Sequence, residues 1–562
     1  MRTAVVGILI DQQTAEKHRK YGLNVFGNYI KEILSHVGMP YVRIDHPEQI
    51  AEIKPDILVA ALTDEDKNTR QQLLDYVDQG GHLISYAGLN GMASILGCTE
   101  RQHLSVGYAV LEGEIGTSNW HALRCLKARP WSINPDNAGL RQATGSLRSG
   151  TAQGAEAGAV LLQFKYGQGQ IDRWSVDILH TIVTMQQGIG PVIDDGVPAP
   201  DGSAAVNDNI LKADDRIAMD WELDRSFTEK GTPYFAYPYA DLWRERLIGH
   251  LLKKVTSLGL TLPFLGYWPD GIDYIAHISH DSDHNIDKSA ATTLQVLEEC
   301  GIHSTWCMIE PGYSPEMFDA IKKAGHELAL HYNALDIGGG HWDQAEFDRQ
   351  ADWLKQAADM DQIISNKNHY TRFEGWGELF AWCEAAGIKA DQTRGPSKTG
   401  NVGFLFGTCH PYFPISLFDE NNRFYDVLEI GFLTQDLDNP NVTDSSVLVP
   451  FLEQVKQVEG IAHFLFHQVH IDNLPDVADA LRKVVKEAKQ RGFVFWTSRQ
   501  INEWERARRQ IRIQGLSENG QLNVEGSLSN AVVWVPLPEG EAIAEAGQAA
   551  LKFGVLCRKY TI

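Results

Sequence analysis

Along the first third of the chain, short apolar runs alternate with segments whose apolar residues recur at helical spacing, the pattern of strands and helices taken in turn. Residues 3–10, 41–44, 57–61 and 82–86 read as strands. Residues 27–37, with Ile30, Ile33 and Leu34 on one face, and 68–79, stopped by Gly80-Gly81, read as helices. This alternation predicts a doubly wound α/β unit over 1–196. Within it, 101–165 loses the helical spacing and is rich in glycine, threonine and short alternating runs, which predicts a β-rich insertion. A hairpin at 164–169 returns that insertion to the sheet. Proline, glycine and aspartate dominate 190–203 and mark a linker. Residues 239–259, carrying Leu242, Leu247, Leu251, Leu252 and Val255 near one face, form an amphipathic helix. Linker and helix make 197–267 a connecting segment.

The pattern changes again after residue 268. The apolar run containing Ile275 and Ile278 stops at Ser279-His280-Asp281-Ser282-Asp283-His284. Thr293, Val296, Leu297 and Cys300 then fall at i, i+3, i+4 and i+7 ahead of Gly301, predicting a helix. Residues 302–309 read as a strand, Ser314-Pro315 as a helix start, and Leu328-Ala329-Leu330 as a strand ending at His331. Further strands fall at 363–370, 404–412, 426–430, 461–467 and 493–497, and helices at 343–358, 475–491 and 499–509. Strand–helix alternation of this kind predicts a (β/α) barrel over 268–510. From 511 to 562 the alternation Ile511-Arg512-Ile513, Gln521-Leu522-Asn523-Val524 and Val532-Val533-Trp534-Val535 predicts a small β appendage.

Parallel strands joined by right-handed crossovers present their C-terminal ends on one face. Asp281, Asp283 and His331 can therefore meet, and a carboxylate–imidazole shell with open positions suits a divalent cation such as zinc. The two stretches resemble the first and second motifs of the polysaccharide deacetylase-like family, carbohydrate esterases of family 4. That resemblance implies a deformed (β/α) barrel holding one divalent metal, with Asp281 as catalytic base and Asp283 and His331 as ligands. The Asp-Ser-Asp spacing leaves open which acid takes which role. The family's next ligand histidine falls at Leu335, so the third position is left to Asp336, His341 or water. Arg372, in Arg372-Phe373-Glu374-Gly375-Trp376, resembles the family arginine that orients the base through charge-assisted hydrogen bonds. His467, ending the apolar run 461–467, resembles the histidine that serves as general acid, with His470 as a competitor. His410 is a further candidate for the substrate cleft.

The order of elements in 1–196 resembles a class I glutamine-amidotransferase-like, flavodoxin-type domain. The nucleophile turn of that family has no counterpart, since the region reads Tyr86-Ala87-Gly88-Leu89-Asn90-Gly91. An inactive relative used for binding or assembly is expected.

Composition narrows the partners. A net charge of −23 over 562 residues argues against a nucleic-acid backbone and an anionic membrane surface. No run approaches a membrane span, and the opening residues read as a first core strand. Seven scattered cysteines form no paired framework and no Cys-x-x-Cys motif. The expected setting is cytoplasmic, the expected partner a carbohydrate or small amide, and a homo-oligomer is compatible with the chain. Taken with the strand-end residues, the resemblance to the polysaccharide deacetylase-like family implies a metal-dependent hydrolase of C–N bonds, most simply a deacetylase of an N-acetylated sugar. The alternatives are a non-catalytic carbohydrate-binding or scaffolding protein, and an amidase acting on a small non-sugar substrate.

Overall fold

The computed structural model describes residues 2–111, 122–206, 209–335, 339–517, 520–538 and 549–562. Its N-terminal sheet has five parallel strands, β1 (Val6–Ile10), β2 (Val42–Ile44), β3 (Ile57–Leu62), β4 (His82–Tyr86) and β5 (Gly169–Trp174), in the order β2-β1-β3-β4-β5. The segment expected to be a β-rich insertion extends this same sheet. Glu156–Tyr166, Leu140–Ser149, Gly107–Val110 and Leu123–Cys125 add to it as antiparallel strands. Side chains of a strand point alternately to opposite faces. Accordingly Ile8, Ile10, Ile57, Val59 and Ile84 enter one core, while Leu9, Leu58, Ala60 and Leu83 enter another. The first core is continuous with the interior of the C-terminal half, so the two halves of the chain share apolar packing.

Helix α1 (Tyr239–Ser257) lies in that seam, buried on more sides than its amphipathic pattern implies. The Trp243 indole donates to the Arg124 carbonyl at 2.7 Å, and Asp172 of β5 accepts from both His250 and Lys254 of α1 at 2.9 Å. The preceding linker packs across the second half of the chain, with isolated bridges Val192–Gly375, Lys212–Arg372 and Phe235–Gly403. Asp214 within it accepts from Ser397 and Asn401 at 2.9 Å.

The second sheet is parallel. Its strands are β6 (Tyr274–Asp281), β7 (Thr305–Met308), β8 (Glu327–Tyr332), β9 (Ser365–Asn368), β10 (Ala390–Asp391), β11 (Leu428–Glu429), β12 (Thr434–Gln435) and β13 (Ile461–Leu465). They run in the order β11-β10-β9-β8-β7-β6-β13-β12. The edge strands β11 and β12 are joined by only four residues, so the sheet curls towards itself as an open barrel. Phe493–Phe495 pairs with the first half of β6. The residues between Phe404 and Tyr412, read from the sequence as a strand, form no strand; their apolar side chains fill the core from irregular backbone.

Local signals explain the elements that carry the site. After β6, helix α2 (Asp287–Cys300) ends at Gly301, whose φ of 59° supplies the left-handed cap. Helix α3 (Pro315–Lys323) starts where the Ser314 side chain accepts from the Met317 amide, with proline in the first helical turn. The C-terminal strands Val532–Pro536, Ala549–Lys552 and Val555–Thr561 form a sheet with Phe264–Leu265. Among the described residues no helix is long and apolar enough to cross a membrane.

Candidate metal and acid–base site

Alternation along β6 sends His277, Ser279 and Asp281 into the barrel, where they meet Gln392, His463 and Lys367. Glu327 and His331 of β8 and Ser365 and Lys367 of β9 add to this polar interior. Parallel register brings the strand ends level: His331 of β8 stands opposite Lys367 of β9, and Asp281 of β6 opposite Cys307 of β7.

Beyond those ends Asp283, His331 and His369 converge, with potential ligand atoms all within 4.8 Å of one another. His331 Nε2 lies 3.1 Å from one Asp283 oxygen and His369 Nε2 3.9 Å from the other. The Nδ1 atom of His331 donates to the Lys367 carbonyl at 2.8 Å, so it is Nε2, here facing Asp283 Oδ1 at 3.1 Å, that would offer its lone pair to a metal. Nδ1 of His369 faces Asn333 Oδ1 at 3.2 Å in the same way. Burial, with neighbouring His331, pushes His369 down to about 4, so its ring is neutral near pH 7, as a ligand must be. Burial acts to raise the Asp283 carboxyl, but His467, His331 and His369 outweigh it and hold it well below the usual carboxylate range. A carboxylate with two inward-facing imidazoles fits zinc or a similar divalent ion, and leaves positions for water and substrate.

Asp281 sits beside this group. One oxygen lies 3.8 Å from His331 Nε2 and the other 3.2 Å from Lys367 Nζ, a buried ion pair that lacks hydrogen-bond alignment. On the opposite side, His467 Nε2 is 3.5 Å from Asp283. Its Nδ1 meets Asp436 Oδ2 at 2.5 Å, and the other Asp436 oxygen accepts the His467 backbone N–H at 2.8 Å. Burial acts to lower His467, yet Asp436 and then Asp283 outweigh it and push it up to about 10, so the ring carries a proton near neutrality. His470 shares the Asp436 oxygen at 2.7 Å, turned towards that carboxylate.

Asp281, Asp283, His331 and His467 are thus brought together as expected from their strand ends. Other expected residues lie elsewhere. Arg372 spends its guanidinium on Glu374 and on the Ala334 carbonyl at 2.9 Å, and Lys367 is the cation beside Asp281. His341 is exposed at the entry to the helix Gln344–Ala357, where its carbonyl accepts from the Tyr332 hydroxyl. His369, one residue beyond β9, stands beside Asp283 and His331 instead, since neighbouring strand ends lie only ~5 Å apart. Asp336 lies outside the described residues. His410 is buried between the two halves, 3.2 Å from His36 and 2.6 Å from the Val458 carbonyl.

Three residues of this constellation were not expected from the sequence. Lys367 and His369 extend the inward alternation of β9 from Ser365, so a period-two reading of that strand would have aligned them. Asp436 follows the two-residue strand β12, too short to show any period.

No family model and no curated protein matches this chain. Solved structures do. A candidate polysaccharide deacetylase from Mycobacterium smegmatis is 18% identical over 43% of this chain and 93% of its own, with a TM-score of 0.34. PuuE allantoinase is 12% identical over 42% and 92%, with a TM-score of 0.33. The peptidoglycan deacetylase PdaC from Bacillus subtilis is 13% identical over 42% of this chain and 95% of its own, with a TM-score of 0.25. At these identities and scores the chemistry has to be read from the side chains themselves.

Proposed function

We propose that this protein is a metal-dependent hydrolase of C–N bonds that deacetylates an N-acetylated sugar or polysaccharide. The observation that carries the reading is a two-histidine, one-carboxylate group flanked by the Asp281 carboxylate and by the His467 imidazole held on Asp436. Asp283, His331 and His369 would hold the cation. When bound, a divalent ion supplies Lewis-acid polarisation of the amide carbonyl and lowers the pKa of water. Asp281, 3.8 Å from His331 and ion-paired with Lys367, accepts the proton of the attacking water. His467, already protonated and fixed by Asp436, delivers a proton to the departing amine. Water adds to the acyl carbon, the C–N bond breaks, and acetate and amine leave.

The same constellation cleaves any amide that reaches it, so a small non-sugar amide is the second substrate class. The strand order β2-β1-β3-β4-β5 supports reading the N-terminal unit as flavodoxin-like. We also read that unit as an amidotransferase-like domain without a nucleophile, because the turn after β4 carries Ala87 at a φ of 55° and no cysteine. Metal analysis tests the site: wild type should hold one divalent ion per chain, and Asp283→Asn and His331→Ala should lose it. If both variants retain wild-type metal, the site is wrong.

A further inference from the structure

Below Asp281 the barrel interior holds a hydrogen-bonded column of which the acid–base roles use only Lys367. Lys367, Ser279 and His463 are fully buried, each at 0% exposure. The column has a direction, set from its far end. Nδ1 of His463 lies 3.1 Å from the Ile430 carbonyl and 3.2 Å from that of Gly431, two groups that only accept, so Nδ1 carries the hydrogen. Burial, with His277 and Lys367 nearby, holds His463 well below its ordinary value, so Nε2 is bare. Nε2 therefore accepts the Ser279 hydroxyl at 2.8 Å. With its hydrogen committed, Ser279 Oγ has only lone pairs left, and Lys367 Nζ donates to it at 2.6 Å. The same ammonium lies 3.2 Å from Asp281, with the Phe432 ring 5.2 Å away on its apolar side.

A lysine is a point charge on a flexible stem and does not fix its own direction. We propose that His463 is a positioning residue for the reaction: through Ser279 it fixes where Lys367 presents its ammonium, and thereby how Asp281 faces the water. The inference rests on the hydrolase reading above. It assigns a role to a residue of β13 that stands four residues before the acid His467.

The experiment compares His463→Phe, which keeps a ring but no acceptor, with His463→Gln, whose amide oxygen can take the place of Nε2. Both are measured in wild-type and Lys367→Met backgrounds, with metal content determined for each. His463→Phe should lower kcat for acetate release by about 10–100-fold with KM and metal content unchanged, the range for outer partners of a catalytic site. His463→Gln should recover much of that loss. In the Lys367→Met background, His463→Phe should cost little more, because its effect passes through the lysine. Additive losses in the double variant, or a loss that His463→Gln shares in full, would overturn the role of His463 and leave the hydrolase reading standing. A wild type that holds metal and releases no acetate would overturn both.

Discussion

Replacing Asp436 by asparagine removes one charge and almost no volume, at a carboxylate that is 1% exposed and 2.5 Å from His467 Nδ1. Burial opposes protonation of His467; of the groups that favour it, Asp436 acts most strongly and Asp283 next. With a cation on Asp283 that second contribution is diminished, and Asp436 dominates. One opposite charge at such range moves a pKa by about 1–3 pH units, which is about 1.4–4 kcal/mol. The alkaline limb of kcat/KM reports the loss of the acid's proton. Wild type should therefore stay active above pH 8, whereas Asp436→Asn should fade about 1–3 pH units lower. Stability follows with a definite sign. A histidine raised to about 10 contributes fully below its ordinary 6.5 and loses that contribution as pH climbs through the folded value. Wild type should lose stability between those two values more steeply than the variant. NMR titration of the His467 ring in metal-loaded protein gives the direct reading. An unmoved ring titration and an unmoved alkaline limb together would refute the assignment of Asp436 as the group that keeps His467 protonated.

Other outcomes follow from the same geometry. His369→Ala should lose bound metal, whereas His341→Ala should keep it, checked by elemental analysis of dialysed protein. Arg372→Ala breaks a partly exposed pair with Glu374 and should cost about 0.2–1 kcal/mol of stability, leaving kcat near wild type in the acetate-release assay. Asp172→Asn leaves Lys254 buried beside a neutral partner and should cost about 3–5 kcal/mol near pH 7, read from denaturant midpoints. Burial acts to raise Asp172, but His250 and Lys254 depress it from 3.8 to about 2. Its contribution is present above the unfolded value and lost as pH falls through the folded one, so the gap between wild type and variant should close across that acid window.

Much of the fold was legible because it depends on period. Most of the longer parallel strands are apolar runs, with β9 (Ser365–Asn368) the polar exception, and the helices between them carry clear starts and stops, as at Ser314-Pro315 and Gly301. Asp281, Asp283, His331 and His467 were legible for a related reason: each stands where an apolar run ends, and parallel strands collect their ends on one face. What failed to show was set by contacts between segments. A lysine in a strand reads as solvated, so Lys367 gave no sign that it would be buried against Asp281. Spacing along one loop offered Asp336 or His341 for the third position, yet the second imidazole of the cluster comes from the next strand end, at His369. Asp436 sits at a φ of 40° after a strand of two residues, where no hydrophobic pattern reaches. The extension of the N-terminal sheet by antiparallel strands was visible as β-rich sequence, but pairing partners are a tertiary property and period does not name them.

Acetate release from N-acetylglucosamine oligomers, followed in chelator-stripped protein before and after addition of one equivalent of zinc, bears most directly on the central claim. The geometry of Asp283, His331 and His369 predicts no release from stripped wild type, recovery on adding zinc, and no recovery in His369→Ala. Release that is independent of zinc, or recovery of His369→Ala to the wild-type rate, would contradict it.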